Sequence, residues 1–277
     1  MEPITSGRRR LDRGQQDVLA LSLEERGVPE RSDPLYPYLA KIGRRMTLSA
    51  QAKAAFLATP FKSERYETYR QIVGEGDRSD HCWLITDGLV SRFKSLRNGG
   101  RQIVSFYVPG DVVNLPACLV RTADHTIRTH TPTTALRLAA RDLLKLAEDF
   151  PELGRAFWLD TLVDAAVFAE WMVNVGRRGA RERVGHLLLE LAYRLNSAGI
   201  GDGTTFVLPV TQTDLADATG LSPVHVNRTL KALRTDGLIR MAGRTIMIDE
   251  PAALALESEF SDRYLHPEGT RTPDDGR

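Results

Sequence analysis

The sequence is poor in the features on which several classes of protein depend. Its 277 residues include only two cysteines, Cys82 and Cys118, which are too few for a disulfide framework and fit a reducing compartment. No stretch approaches the roughly 18 uninterrupted apolar residues of a membrane span. The start of the chain is too polar for a signal peptide, because the arginines at positions 8 to 10 are followed by no apolar run. We therefore expect a cytosolic protein that makes no membrane contact.

Catalytic and metal-binding motifs are absent as well. The sequence contains no Gly-x-Ser-x-Gly nucleophile elbow, no phosphate-binding loop and no paired set of zinc ligands. We therefore predict that the chain is not an enzyme. Two alternatives stay open at this point, namely a cupin-like metal enzyme and a small-molecule-binding module that acts through protein contacts.

The cysteines and histidines of the sequence limit the cofactors that the chain could bind. A cubane iron–sulfur cluster needs about four thiolate ligands, which two cysteines cannot supply. Haem needs fewer ligands, and His81, Cys82, His125 and His130 are candidates. Neighbouring residues, and residues five apart, point to opposite faces of an extended strand, so these side chains form no ready-made site. We predict no cofactor and keep haem as an alternative.

The charge of the chain is distributed unevenly. The formal net charge is only +1, yet Gly176 to Ile248 carries ten Lys and Arg against six Asp and Glu. A basic segment in a nearly neutral chain indicates a polyanionic partner such as nucleic acid. The apolar fraction of 42% is ordinary for a globular protein and excludes a disordered or fibrous chain.

The region from Phe61 to Ala140 has the pattern of an antiparallel β structure. Turn signals recur about every eight to twelve residues, and Asn98-Gly99 is the clearest hairpin tip because both residues accept positive φ. The predicted strands are Trp83 to Thr86, Leu89 to Leu96, Gln102 to Val108, His125 to Thr131 and Thr134 to Ala139. Before this region, the apolar spacing from Leu35 to Ala58 predicts short leading helices.

A long helix is predicted after the strands. Asp149 is a candidate N-cap, and Pro151 suits the first turn. Apolar residues then recur at alternating steps of three and four, the period of a two-stranded coiled-coil seam: Leu159, Leu162, Ala166, Ala169 and Val173. Trp158 and Trp171 flank this seam and could cover the β region. We predict that the helix pairs with an identical copy; packing on its own chain is the alternative.

The segment from Thr211 to Leu233 predicts a helix-turn-helix. A first helix begins at a Thr cap, a turn follows at Thr219-Gly220-Leu221, and a second helix begins at Ser222. Gly176 to Gly179 forms a plausible hinge in front of the domain. Gly237 to Arg240 and Gly243 to Ile248 then predict a hairpin wing with a basic tip.

The second helix offers hydrogen-bond donors and no acidic group. Arg228 can bind guanine O6 and N7, and Asn227 can pair with adenine or a phosphate. Ser222, His225 and Lys231 suit phosphate positioning. The complete set of predicted DNA-binding residues is Thr211, Thr213, Ser222, Pro223, Val224, His225, Asn227, Arg228, Lys231 and Arg244.

With these motifs in place, the chain resembles the Crp/Fnr superfamily of bacterial regulators from Phe61 to Ile248. Gly74-Glu75, Leu84 to Gly88 and Gly110-Asp111 fall where that family has its recurring glycines. The resemblance implies an α+β fold: an N-terminal antiparallel jelly-roll sensor like that of cyclic-nucleotide-binding proteins, a long dimerisation helix and a C-terminal winged helix-turn-helix. It also implies a homodimer on palindromic double-stranded DNA, with RNA polymerase as a partner. Arg228 matches the family's recognition arginine, whereas Val224 replaces its usual acidic residue.

The resemblance also divides the chain into segments. We expect a loosely ordered extension at 1–34, with a short helical pattern around Val18 to Arg26. The other segments are a β-roll sensor domain at 35–148, a dimerisation helix at 149–176, a DNA-binding domain at 177–250 and a tail at 251–277.

Cyclic nucleotide binding is disfavoured by the residues that replace the family's ligand cassette. Members that bind these ligands have a Gly-Glu pair for the ribose and an Arg-Ser/Thr-Ala run for the phosphate. The matching stretches here are Asn114-Leu115-Pro116 and Asp124-His125-Thr126. Asp124 would repel the phosphate, and Pro116 lacks a backbone donor. We predict a different signal, which the sequence does not identify.

Overall fold

A computed structural model describes residues 32–267 of the chain. The expected N-terminal extension and its helical pattern at Val18 to Arg26 lie almost wholly outside the described residues, as does the end of the tail. Two short helices lead into the first domain, α1 at Tyr36–Ile42 and α2 at Ala50–Leu57. The leading helices predicted before the β region are therefore confirmed. None of the described helices is both long and apolar enough to cross a membrane.

The first domain is an antiparallel roll of two four-stranded sheets. One sheet has the strand order β1-β8-β3-β6 and the other the order β2-β7-β4-β5. All five predicted strands are confirmed, and β1, β2 and β6 are additional. The strands are β1 Phe61–Tyr66, β2 Gln71–Val73, β3 His81–Asp87, β4 Val90–Ser95, β5 Arg101–Tyr107, β6 Val112–Val113, β7 Thr126–Thr129 and β8 Thr133–Ala139.

The β3–β4 connection shows why the turn glycines matter. Gly88 has φ of +99°, a conformation that residues with a Cβ rarely adopt. A methyl group there would also lie 2.8 Å from the carbonyl oxygen of Pro132. Glycine therefore lets β3 turn directly into β4 beside the β7–β8 loop.

Two helices follow the roll, where the sequence predicted one. Helix α3, Ala140–Asp149, continues directly from β8 with no turn residue between them, so no local signal marks its start. Asp149 ends α3 and accepts a hydrogen bond from Lys145, and the N-cap of the next helix is Phe150. The assignment of Asp149 as N-cap was therefore wrong. The long helix α4, Pro151–Arg177, begins with Pro151 in its first turn as predicted.

A break of two residues separates α4 from the second domain. The chain leaves the helix at Arg178-Gly179 and enters α5, Ala180–Ser197, so the predicted interruption at Gly176 to Gly179 is present but begins only after Arg177. The second domain then contains β9 Thr205–Val207, α6 Gln212–Thr219, α7 Pro223–Thr235, β10 Ile239–Ala242, β11 Thr245–Ile248 and α8 Pro251–Glu257. The expected α+β fold, with a jelly roll, a long helix and a winged helix-turn-helix, is confirmed.

The segment expected as a C-terminal tail begins with a packed helix. Leu254 of α8 is fully buried, and Gly185 of α5 faces it. A methyl group at residue 185 would collide with Ser258 Oγ and lie 2.9 Å from Leu254 Cδ1. Residues 251–258 therefore belong to the core of the second domain, and the structure places its end beyond the expected boundary at 250.

Candidate nucleic-acid interface

Local sequence signals set the two helices of the helix-turn-helix. Thr211 caps α6 in a capping box with Asp214, and Ser222 caps α7 by accepting a hydrogen bond from His225 N at 3.2 Å. Gly220 ends α6 with φ of +66°, in the left-handed region that glycine favours. The inward-facing residues predicted for this motif are confirmed as buried, with Leu221 half-buried: Leu215, Ala218, Leu221, Val226, Leu230 and Leu233.

The outer face of α7 is polar and open to solvent. Asn227, Arg228 and Lys231 are exposed, and none of them forms an ion pair or a side-chain hydrogen bond with another residue of the 32–267 range. His225 is half-buried. The other predicted DNA-binding residues are also exposed: Thr211, Thr213, Ser222, Pro223, Val224 and Arg244. Within the described residues, the helix therefore presents unpaired hydrogen-bond donors along one face. Arg234, near its C-terminal end, is a further exposed cation that was not predicted from the sequence.

The predicted wing is a hairpin of β10 and β11 whose turn carries Arg244. Strand β9 pairs with β11 and completes a three-stranded sheet. Arg240 on the hairpin is held by Asp249, with Nε to Oδ2 at 2.8 Å. Arg244 is exposed at the tip, so it is the cation of the wing that is available to a ligand.

The two carboxylates of α6, those of Asp214 and Asp217, face the roll and not the exposed side of α7 and the wing. Asp214 Oδ1 accepts hydrogen bonds from Arg101 at 2.8 Å and from Arg128 at 3.2 Å, and its Oδ2 lies 3.4 Å from His130 Nδ1. Arg101 also donates to Asp217 at 2.7 Å. We call these five residues the Asp214 cluster. The acids of α6 are thereby neutralised, and the exposed side of the motif is left basic.

Hydrogen bonding keeps Asp214 ionised despite its burial. Burial by itself would raise the pKa of its carboxyl, but hydrogen bonds from His130 and Thr211 lower that pKa well below its usual range. Because the arginines come from strands far away in sequence, no local pattern could have revealed the cluster. It joins the DNA-binding domain to the roll.

The long helix α4 carries an apolar stripe on its exposed side. Trp158 is 68% exposed, Leu162 51% and Met172 71%, and the exposed Ala165 and Ala169 lie between them. These five positions alternate in steps of four and three, the period of a two-stranded coiled coil. We call them the α4 stripe.

The α4 stripe corrects the predicted seam. Leu159 was placed in the seam but is buried in the core of its own chain, and Ala166 is half-buried. Leu162, Ala169 and Val173 are exposed, as a seam requires. Trp158 was predicted to cover the roll and instead lies in the exposed stripe. Trp171 does cover the roll, with its ring 6.0 Å from that of Phe106 on β5.

Arg92 and His125 of the roll contact each other and side chains around them. Arg92 lies 5.1 Å from the ring centroid of Phe168, and its Nη2 is 3.1 Å from His125 Nδ1. His125 also contacts the carboxylate of Asp124, which stands where the phosphate arginine is expected. Pro116 lies in a 3₁₀ helix at Leu115–Cys118. The side chains of Arg92, His125 and Asp124 are thus in contact with one another in this part of the roll.

The candidate haem and metal ligands do not converge. His125 contacts Arg92 and Asp124, whereas His130 bonds to Ser91 at 2.8 Å and faces Asp214. Within residues 32–267, no group of three His, Cys, Asp or Glu side chains could hold a metal ion. This geometry gives no support to a cupin-like metal centre.

A cavity of about 680 Å³ lies between α1, the roll, α4 and the end of α5. Two of the lining cations are paired with one acid: Lys41 Nζ is 3.1 Å from Asp111, and Arg194 is 2.9 Å from the same carboxylate. Burial by itself would raise the pKa of Asp111, but these two charges lower it to about 2. Burial also raises the pKa of Asp164, another residue of the lining, to about 6. The cavity therefore lies between the two domains, which the ion pair of Arg194 with Asp111 connects.

Comparison with known proteins gives matches over both domains. A family profile for a cyclic nucleotide-binding domain matches residues 63–150, and one for a Crp-like helix-turn-helix domain matches residues 182–256. The nitrogen fixation regulation protein FixK of Rhizobium meliloti is 30% identical over 191 residues, covering 68% of this chain and 83% of that protein. The transcriptional activator protein FnrL of Cereibacter sphaeroides is 27% identical over 225 residues, covering 79% and 90%.

A solved structure gives the same result. FixK2 from Bradyrhizobium japonicum superposes with a TM-score of 0.67 at 26% identity, covering 73% of this chain and 99% of that chain. The order of roll, long helix and winged domain is thus shared along the matched length.

Proposed function

The chain belongs to the Crp/Fnr family of DNA-binding transcription regulators, and from that membership we propose that two copies bind one palindromic site. Each copy places α7, its recognition helix, in the major groove. The observation that carries this proposal is the outer face of α7, where exposed donors have no partner within the described chain. Paired helix-turn-helix units read half-sites about 34–36 Å apart, which requires a dimer.

Arg228 and Lys231 have different tasks in this proposal. Arg228 lies in the second turn of α7, where its planar guanidinium can reach the major groove and match two acceptors of one guanine. Lys231 lies three residues farther from the helix N-terminus, and its point charge suits a phosphate. Arg228 should therefore set the sequence preference, and Lys231 should contribute affinity for any DNA.

Single alanine variants separate the two tasks. Arg228→Ala should weaken binding to the specific site by about 1–3 kcal/mol and leave random duplex almost unaffected. Lys231→Ala should weaken both duplexes alike and reduce the salt slope by about one per subunit. Fluorescence anisotropy on a selected palindrome and on random duplex, across a salt series, measures both quantities.

Val207→Ala is a matched control for these variants, because Val207 is exposed on β9 and belongs to no predicted DNA contact. It should bind both duplexes as the unaltered chain does. Equal weakening of both duplexes by Arg228→Ala would show that this arginine does not read bases.

We also propose that the roll responds to a signal other than a cyclic nucleotide, because Asp124 and Pro116 replace groups that would hold the phosphate and the ribose. Titration calorimetry with about 1 mM cyclic AMP should show no saturable heat. DNA binding by the same preparation serves as the control for intact protein. Saturable binding in the micromolar range would contradict the proposal.

Two finer assignments follow from membership in a family of transcription regulators. We propose RNA polymerase as a protein partner, since the FnrL relative is named a transcriptional activator. We place the protein in the cytoplasm, because its DNA target lies there. Neither assignment requires catalysis by the chain itself.

A further inference from the structure

Two cysteine thiols meet beneath the surface of the roll, far from the DNA-binding face. Cys82 lies on β3, and Cys118 is the last residue of the 3₁₀ helix at Leu115–Cys118. Both are free, and their sulfur atoms are 3.8 Å apart. Since a disulfide bond is about 2.05 Å long, a shift of about 2 Å would join them.

The strand that carries Cys82 is held on both sides. Strand β3 pairs with β8 along its length and with β6 at Trp83 and Leu84. The side chain of Cys82 is fully buried, and its thiol donates to the carbonyl oxygen of Asn114 at 3.4 Å. Movement toward a disulfide must therefore come from Cys118.

The segment that carries Cys118 is a short arc that packs on the start of α4 and is hydrogen-bonded to the rest of the roll at its two ends. Asn114 adopts a left-handed conformation with φ of +61° and donates to His81 O at 2.9 Å and to Ser79 Oγ at 3.2 Å. At the far end, Ser79 N donates to Arg121 O at 2.9 Å. The arc 115–120 lies between these anchors outside both sheets, so it can shift without breaking a strand.

The two thiols differ in access and in acidity. Cys82 has no exposed surface, whereas Cys118 is partly exposed beside the open side chains of Leu119 and Val120. The hydrogen bond between the sulfurs, followed by burial, raises the pKa of Cys82. The same contact between the sulfurs lowers the pKa of Cys118, against the opposing effect of burial. Because the thiolate is the nucleophile, Cys118 is the thiol that reacts first.

We propose that Cys82 and Cys118 form a reversible thiol–disulfide site that is oxidised by hydroperoxides. The Cys118 thiolate attacks one peroxide oxygen and the O–O bond breaks, which gives a sulfenic acid at Cys118 and hydroxide or alkoxide. The Cys82 sulfur then attacks the Cys118 sulfur, and its proton leaves with the hydroxyl as water. The two sulfurs lose two electrons in total and the peroxide gains them.

The position of the arc connects this site to the rest of the molecule. Ala117 is buried in one apolar cluster with Leu153 and Ala156, which lie in the first turns of α4. A bond at Cys118 would therefore fix the surface on which the start of α4 packs. The chemistry of the site does not depend on the proposed DNA-binding function.

The test is peptide mapping of the full chain after treatment with hydrogen peroxide. Under non-reducing conditions the unaltered protein should yield one peptide pair linked through Cys82 and Cys118, and dithiothreitol should release it. Cys82→Ser should instead accumulate a sulfenic acid at Cys118 that dimedone traps. Cys118→Ser is the matched control, and its buried Cys82 should stay reduced.

Several outcomes would overturn the proposal. They are two unmodified thiols after peroxide treatment, a disulfide between two chains only, and oxidation of Cys82 in Cys118→Ser at the rate of the unaltered protein. Circular dichroism checks the fold of each variant. If Cys82→Ser does not fold, Cys82→Ala serves in the same dimedone assay.

Discussion

Replacing Leu162 with Glu is expected to abolish the proposed dimer and leave a monomer. Leu162 lies at the centre of the α4 stripe and is 51% exposed in the single chain. A symmetric pairing of α4 would bury its exposed half against its counterpart, which stabilises a dimer by about 1 kcal/mol per side chain. Two glutamates facing each other there would lose that burial and place unpaired charges in the interface, a penalty of several kcal/mol.

Sedimentation velocity measures this change directly. Leu256→Glu is the matched control, because Leu256 is 84% exposed on α8 and does not belong to the stripe. It should sediment as the unaltered protein does. Monomeric Leu162→Glu should also lose the tight binding to a palindrome while keeping weak binding to random duplex. If it sediments as a dimer, the interface lies elsewhere on the molecule.

Replacing Asp214 with Ala is expected to lower the free energy of unfolding by about 3 kcal/mol. The variant leaves Arg128 and His130 facing no carboxylate and leaves Arg101 with Asp217 alone. Loss of one partner of a buried ion pair costs about 3–5 kcal/mol, and the partial exposure of the arginines reduces that figure. Asp214 also completes the capping box of α6, which adds about 1 kcal/mol.

Thr211→Ala is the control that separates the two contributions. It removes the capping hydroxyl and leaves the ion pairs of Asp214 in place, so it should cost only about 1 kcal/mol. Urea denaturation of both variants gives the comparison. Since the folded-state pKa of Asp214 is lowered, its contribution should be complete above the usual pKa of aspartate and decline as the pH falls below it. Equal destabilisation by the two variants would mean that the Asp214 cluster contributes nothing.

Local signals in the sequence were sufficient for the helix-turn-helix and for most strands. The caps at Thr211 and Ser222 and the turn at Gly220 act within a few residues, so they can be recognised without the fold. The strands lie between turn signals, such as that at Gly88, which recur about every eight to twelve residues. In contrast, α3 follows β8 without a turn residue, and nothing local separates it from the strand.

The sequence alone could not show which residues of α4 form the exposed stripe, and the reason is different. Helix α4 has apolar residues on two neighbouring faces: Leu159 and Val163 face the roll, whereas Leu162 and Ala165 face solvent. A periodicity argument joins residues from both faces into one stripe, as it did for Leu159 and Leu162. Only the packing of the roll on the helix separates them. The Asp214 cluster was beyond prediction because its arginines and acids lie on different domains.

The close approach of α5 and α8 at Gly185 determines where an isolated fragment of the DNA-binding domain can end. A fragment designed to contain only the helix-turn-helix and the wing would end at Ile248, the last residue of β11. Such a fragment would lack Leu254 and Ser258, which pack against Gly185. It would therefore expose a strip of apolar surface on α5. A soluble fragment of the DNA-binding domain must therefore extend at least through Ser258.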